Sequence, residues 1–146
     1  MISRRDAGLA VFFVVMMLLP CLMLPLLYAE SPYRTVAGEP VKDAIKTAGI
    51  TVTSVKDTRW NQPGATGGKT YVLSDNEGNT VTIAAQAFDS AESREAAIRL
   101  YNSYTVGKGR PVGKLFVVNQ YVVYVIPADS PVLTTLVPEL VKIGMP

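Results

Sequence analysis

The sequence predicts an α+β protein: an N-terminal transmembrane helix followed by a small two-layer domain, with a mostly antiparallel sheet of about five strands and three helices. Three observations carry that expectation. Residues Ala7 to Ala29 contain no charge. The rest of the chain alternates segments of helical period with β-branched segments of period two. The strand segments also come in pairs whose connections are short enough to require antiparallel hairpins. The division that follows is residues 1–6 in the cytoplasm, 7–29 in the bilayer, 30–38 as a tether and 39–146 as an outward domain.

As a helix, Ala7 to Ala29 would reach about 35 Å, against a hydrocarbon core of about 30 Å. Leu, Val and Phe dominate the run and favour insertion. Pro20 and Pro25 are tolerated there as kinks. Arg4 and Arg5 precede the run, so the positive-inside rule keeps the N-terminus in the cytoplasm and places everything beyond Tyr28 outside the cell membrane. The competing layout is a cleaved signal peptide leaving a secreted protein. The run is longer than the roughly 7–15 residues of a secretory apolar segment, and Leu27 is bulky where cleavage before Glu30 would need a small side chain. Cys21, the sole cysteine, follows Leu18-Leu19-Pro20 and reads as an apolar residue of the span rather than a lipid attachment site.

Composition limits the function classes. Fourteen Lys and Arg against twelve Asp and Glu give a net charge of +2, which points away from nucleic acid. The absence of histidine removes the commonest general base and zinc ligand together. With its one cysteine in the span, the outward domain has no disulfide.

Within that domain, Glu30 to Gly38 is the tether, with Tyr28 and Tyr33 where interfacial aromatics sit. Pro40 opens a helix whose apolar stripe is Val41, Ala44, Ile45 and Ala48, and Gly49 stops it. Ile50 to Lys56 reads as a strand with Ile50, Val52 and Ser54 on one face, and Asp57 to Gly68 as a mobile, turn-rich loop. Lys69–Ser74 and Thr80–Phe88 form a hairpin across Asp75-Asn76-Glu77-Gly78-Asn79. Asp89 caps a helix from about Ser90 to Tyr104, with Ala97, Ile98, Leu100, Tyr101 and Tyr104 inward and Glu92, Arg94, Glu95 and Arg99 in water. Lys114–Val118 and Tyr121–Ile126 make a second hairpin, apolar on both faces and therefore placed centrally. Ser130 and Pro131 begin the last helix, whose buried side is Leu133, Leu136, Val137 and Leu140; Pro138 should kink or split it.

No motif for catalysis stands out, and no catalytic residue, metal ligand or cofactor is assigned. Asp75-x-Glu77-x-Asn79 lacks the glycine and glutamate positions of a calcium loop and reads as a turn. Gly64 to Thr70 misses the spacing of a phosphate-binding loop and precedes a strand where that motif needs a helix. Tyr101, Tyr104, Tyr121 and Tyr124 read as core aromatics rather than a ligand pocket. Serine and lysine permit a Ser–Lys hydrolase, yet no serine has a recognisable setting. The possible contact surface is a basic rim of Arg59, Lys69, Lys108 and Arg110 around Trp60. The expectation is a single-pass membrane protein, held in the lipid bilayer through Ala7 to Ala29, whose outer domain binds a protein partner or small ligand without catalysis. A hydrolase of unknown chemistry and a self-associating envelope component are the alternatives from other classes.

Overall fold

The computed structural model describes residues 32–105 and 113–144. The proposed membrane span, Cys21, Lys108 and Arg110 lie outside them. Among the described residues no helix is long and apolar enough to cross a membrane. The elements run α1 (Pro40–Thr47), β1 (Val52–Asp57), β2 (Ala65–Ser74), β3 (Thr80–Phe88), α2 (Ala91–Thr105), β4 (Lys114–Val118), β5 (Tyr121–Ile126) and α3 (Leu133–Gly144). The strands form one sheet in the order β1-β2-β3-β5-β4, with every neighbouring pair antiparallel. The fold is α+β, as the hairpin chemistry requires.

The helices lie on both faces, so the domain has three layers rather than two. Val41, Ala44 and Ile45 of α1 and Leu136 and Leu140 of α3 pack on the face carrying Tyr71, Leu73, Val81, Ile83, Ala85, Val123 and Val125. Ala97 and Ile98 of α2 pack on the opposite face with Phe88, Val122 and Leu115. Apolar side chains on both faces of β3 and β5 make this possible, because each face needs its own cover. The β4–β5 hairpin is only half central: β5 lies inside the sheet and β4 forms its edge.

Local chemistry explains most boundaries and the exceptions. Gly49, at φ 74°, ends α1 and returns a hydrogen bond to the Lys46 carbonyl. A bulge between Val52 and Ser54 shifts β1, so Val52 pairs with Leu73 while Ser54 pairs with Val72 on the other face. Ser90, not Asp89, caps α2, its Oγ accepting the Ser93 amide at 3.2 Å. In α2 the pattern is partly inverted. Tyr104 is 62% exposed and Leu100 36%, whereas Arg94 is 3% exposed. Its guanidinium donates to the Asn119 carbonyl and the Glu95 carboxylate and lies 5.6 Å above the Tyr33 ring. Arg94 can be buried because these groups replace its water. Helix α3 continues through Pro138 rather than splitting. Pro138 and Thr134, whose carbonyl loses its helical donor, are both exposed, so the lost bond falls on the solvent side of the helix.

The segment before α1 is bound to the domain rather than hanging from it. The Tyr33 hydroxyl donates to the Phe88 carbonyl at 3.0 Å. The Gln120 side chain accepts the Val36 amide at 2.9 Å and donates to the Val36 carbonyl at 2.7 Å, imitating a rung of strand pairing. Tyr33 is therefore committed to protein contacts.

In the β2–β3 turn the Asp75 carboxylate accepts the amides of Glu77 and Asn79 and the Asn79 side chain. These bonds, the Asn79 side chain first, lower its pKa from 3.8. The unfolded chain therefore takes up the proton first; the stabilisation is complete above that value and is lost as pH falls through the lower folded-state pKa. We expect the denaturation midpoint to fall as pH drops below about 4, and Asp75→Ala to flatten that acid limb, read by urea titration at successive pH values.

Candidate functional site

The candidate site lies on the α1 face of the sheet, beside the start of α1. A cleft of about 690 Å³ opens there, bounded by residues 38–41 at the start of α1, residues 57–59 after β1, and residues 66–69 at the start of β2. That volume falls within the roughly 300–1,000 Å³ of small-ligand sites. Cross-strand pairing sets the floor: Lys69 opposite Ala85 and Ala87 opposite Tyr121, with Tyr71 beside them. The depth comes from what is absent, since Ala85, Ala87, Gly67 and Gly68 supply almost no side chain where larger residues would fill the space.

The wall after β1 is fixed by Gln86, which is 0% exposed in β3. Its Oε1 accepts the Trp60 amide at 2.8 Å, and its Nε2 donates to the carbonyls of Gly67 at 3.1 Å and Ala87 at 2.9 Å. The stretch read as a mobile loop is thus strand from Ala65 onward, with its register broken between Ala65 and Gly68. A Cβ at Gly68 would meet the Thr58 carbonyl at 2.6 Å and the Ala85 carbonyl at 2.8 Å, so only glycine lets the three segments approach this closely. Arg59 donates Nε–H to the Ala65 carbonyl at 3.0 Å, anchoring its guanidinium at the rim.

Charge is ordered along one wall. Lys69 lies 2.9 Å from Asp57, its cross-strand partner, and 3.2 Å from Glu39; Glu39 also pairs with Lys42 at 2.8 Å. Glu39 holds the N-cap position of α1 without capping it, because its carboxylate goes to these lysines. Hydrogen bonds from Lys42 and then Lys69 lower the Glu39 pKa, and those from Lys69 to Asp57 and then Glu39 raise that of Lys69. Lys69 therefore stays protonated at neutral pH and is unsuited to act as a base or amine nucleophile. Burial, followed by the Glu39 charge, pushes the Tyr71 phenol up to about 12 and raises that of Tyr121. Both remain neutral donors across the physiological range.

The sequence-selected residues divide. Arg59 and Lys69 share the cleft. Trp60 is half-buried, with its ring edge-on to Phe88 at 6.3 Å within the α2-side cluster. Lys108 and Arg110 fall outside the described residues. The four tyrosines separate as well: Tyr101 meets Tyr124 at 5.2 Å on the α2 face, Tyr121 lines the cleft, and Tyr104 is exposed. Sequence reasoning missed Glu39, Asp57, Tyr71, Gln86 and Gln120. Opposite charges at the facing ends of β1 and β2 were the one available signal, for Asp57 and Lys69. Among the described residues no group of three or more acidic, histidine or cysteine side chains is placed to hold a metal ion. No family model, curated protein or solved structure matches the chain.

Two substitutions probe this wall. Gln86→Leu keeps the volume but strands the Trp60 amide and Gly67 carbonyl, and should cost about 2–3 kcal/mol in chemical denaturation. Trp60→Ala should cost about 2 kcal/mol, below a full core truncation because the ring is only half-buried; a change near zero would mean that the Phe88 contact contributes nothing.

Proposed function

We propose that this chain is a single-pass membrane protein, anchored by residues 7–29 with its N-terminus in the cytoplasm, whose outer α+β domain is a non-catalytic binding module. The observation that carries the binding reading is the cleft beside Arg59 and Lys69, ligand-sized and floored by alanines, with polar groups of both signs around its wall. The anchor reading is supported by the uncharged run from Ala7 to Ala29 behind Arg4 and Arg5. The ion pairs that hold Lys69 protonated favour recognition over proton transfer at that residue.

Two measurements test the two halves. The full chain, expressed from Met1, should stay with the membrane fraction through alkaline extraction, retain its leader by intact mass and lose its domain to protease added outside the cells. A soluble product lacking the leader would overturn the anchor. Native mass spectrometry of the detergent-purified chain should detect a bound small molecule that Gly67→Phe excludes. Gly67 lines the cleft, and nothing lies within 4 Å of a Cβ placed there, so a side chain is added at the cleft without a clash at its root. Equal adduct occupancy in both proteins would overturn the site.

A further inference from the structure

We propose that the cleft binds a small organic anion, a carboxylate or phosphate ester on an apolar body, and that Arg59 recognises its charge. The inference rests on the reading of the cleft as a ligand site and adds the class of ligand. Among the lining residues two carboxylates, Glu39 and Asp57, face two cations, Arg59 and Lys69. Lys42 stands on the second oxygen of Glu39. The ion pairs single out Arg59. Lys69 is held between both carboxylates, whereas no ion pair among the described residues involves Arg59.

Arg59 is also positioned to use its charge. Its Nε–H is spent on the Ala65 carbonyl, which fixes the plane of the guanidinium at the rim; its terminal nitrogens supply the paired donors that match carboxylate and phosphate oxygens. Lys69 offers a second contact. Its partner Asp57 is 88% exposed on the side chain, so that pair is solvated and easily exchanged. An arriving anion replaces Asp57 on the ammonium, while Glu39, held by Lys42 as well, stays in place. The floor of Ala85, Ala87, Tyr71 and Tyr121 receives the apolar body, and the neutral phenols add donors for a further oxygen. A cationic ligand would find Glu39 already held by two lysines and Arg59 opposing it.

Titration of the full chain in neutral detergent with benzoate, phenyl phosphate and benzylamine, followed by saturation-transfer NMR, tests this. Benzoate and phenyl phosphate should bind saturably and compete with each other, while benzylamine does not bind. The tighter anion identifies the headgroup. Arg59→Gln should weaken both anions about tenfold, the loss of one charged hydrogen-bonding contact. Asp57→Asn, at an exposed side chain, should tighten them about threefold by removing the competing carboxylate. Gly67→Phe should abolish binding of both. If benzylamine binds in a Gly67→Phe-sensitive way and the anions do not, or if Asp57→Asn weakens the anions, the anion inference falls and the binding module stands. If no probe binds in a manner sensitive to Gly67→Phe, both fall.

Discussion

A buried primary amide must find partners for its oxygen and its two N–H groups, or cost about 1–3 kcal/mol for each left unmet. Gln86 presents that demand in the middle of the sheet, and the chain meets it with backbone from two other segments. Residues 58–67 fold back so that the Trp60 amide and the Gly67 carbonyl arrive at one side chain. That return breaks the register at the start of β2, brings Thr58 against Gly68 and shapes the cleft wall. The opening and the glycine-rich sequence beside it are thus two outcomes of one polar group placed among apolar neighbours.

Much of the architecture was legible because turns declare themselves. Asp75 to Asn79 and Asn119-Gln120 carry residues that tolerate tight reversals; Gly78 adopts φ 83° and Asn119 φ 51°, and the flanking strands fall where alternation put them except that β2 begins at Ala65 rather than Lys69. The layering was harder to read. Strand β3 is apolar on both faces, and a one-dimensional pattern with two apolar faces does not say how helices divide between them. Arg94 and Gln86 were assigned by type rather than partner: a guanidinium is expected in water until a carbonyl, a carboxylate and a ring replace it. Gly64 to Gly68 looked like a loop because glycine lowers strand propensity, yet here its missing side chain is what allows strands to approach.

The site was legible only in part for a related reason. Arg59 and Lys69 stood out as cations near turn formers, but their counter-charges come from elsewhere in the sequence. Glu39 belongs to a helix thirty residues upstream of Lys69, and only sheet register brings Asp57 opposite it. Trp60 drew notice as an unusual residue in a polar stretch; the nearby Phe88 ring, contributed by another strand, accounts for its position.

The two hydrogen bonds between Gln120 and the Val36 backbone have a mechanical consequence. They lie between the N-terminal side of the chain and the Gly38–Val41 wall, with the Tyr33 contact to Phe88 one step further out. Tension arriving along the chain from its leading end loads these fastenings, like a strain relief on a cable, before it reaches α1. The geometry around Glu39 is thereby insulated from events upstream until that clasp gives way.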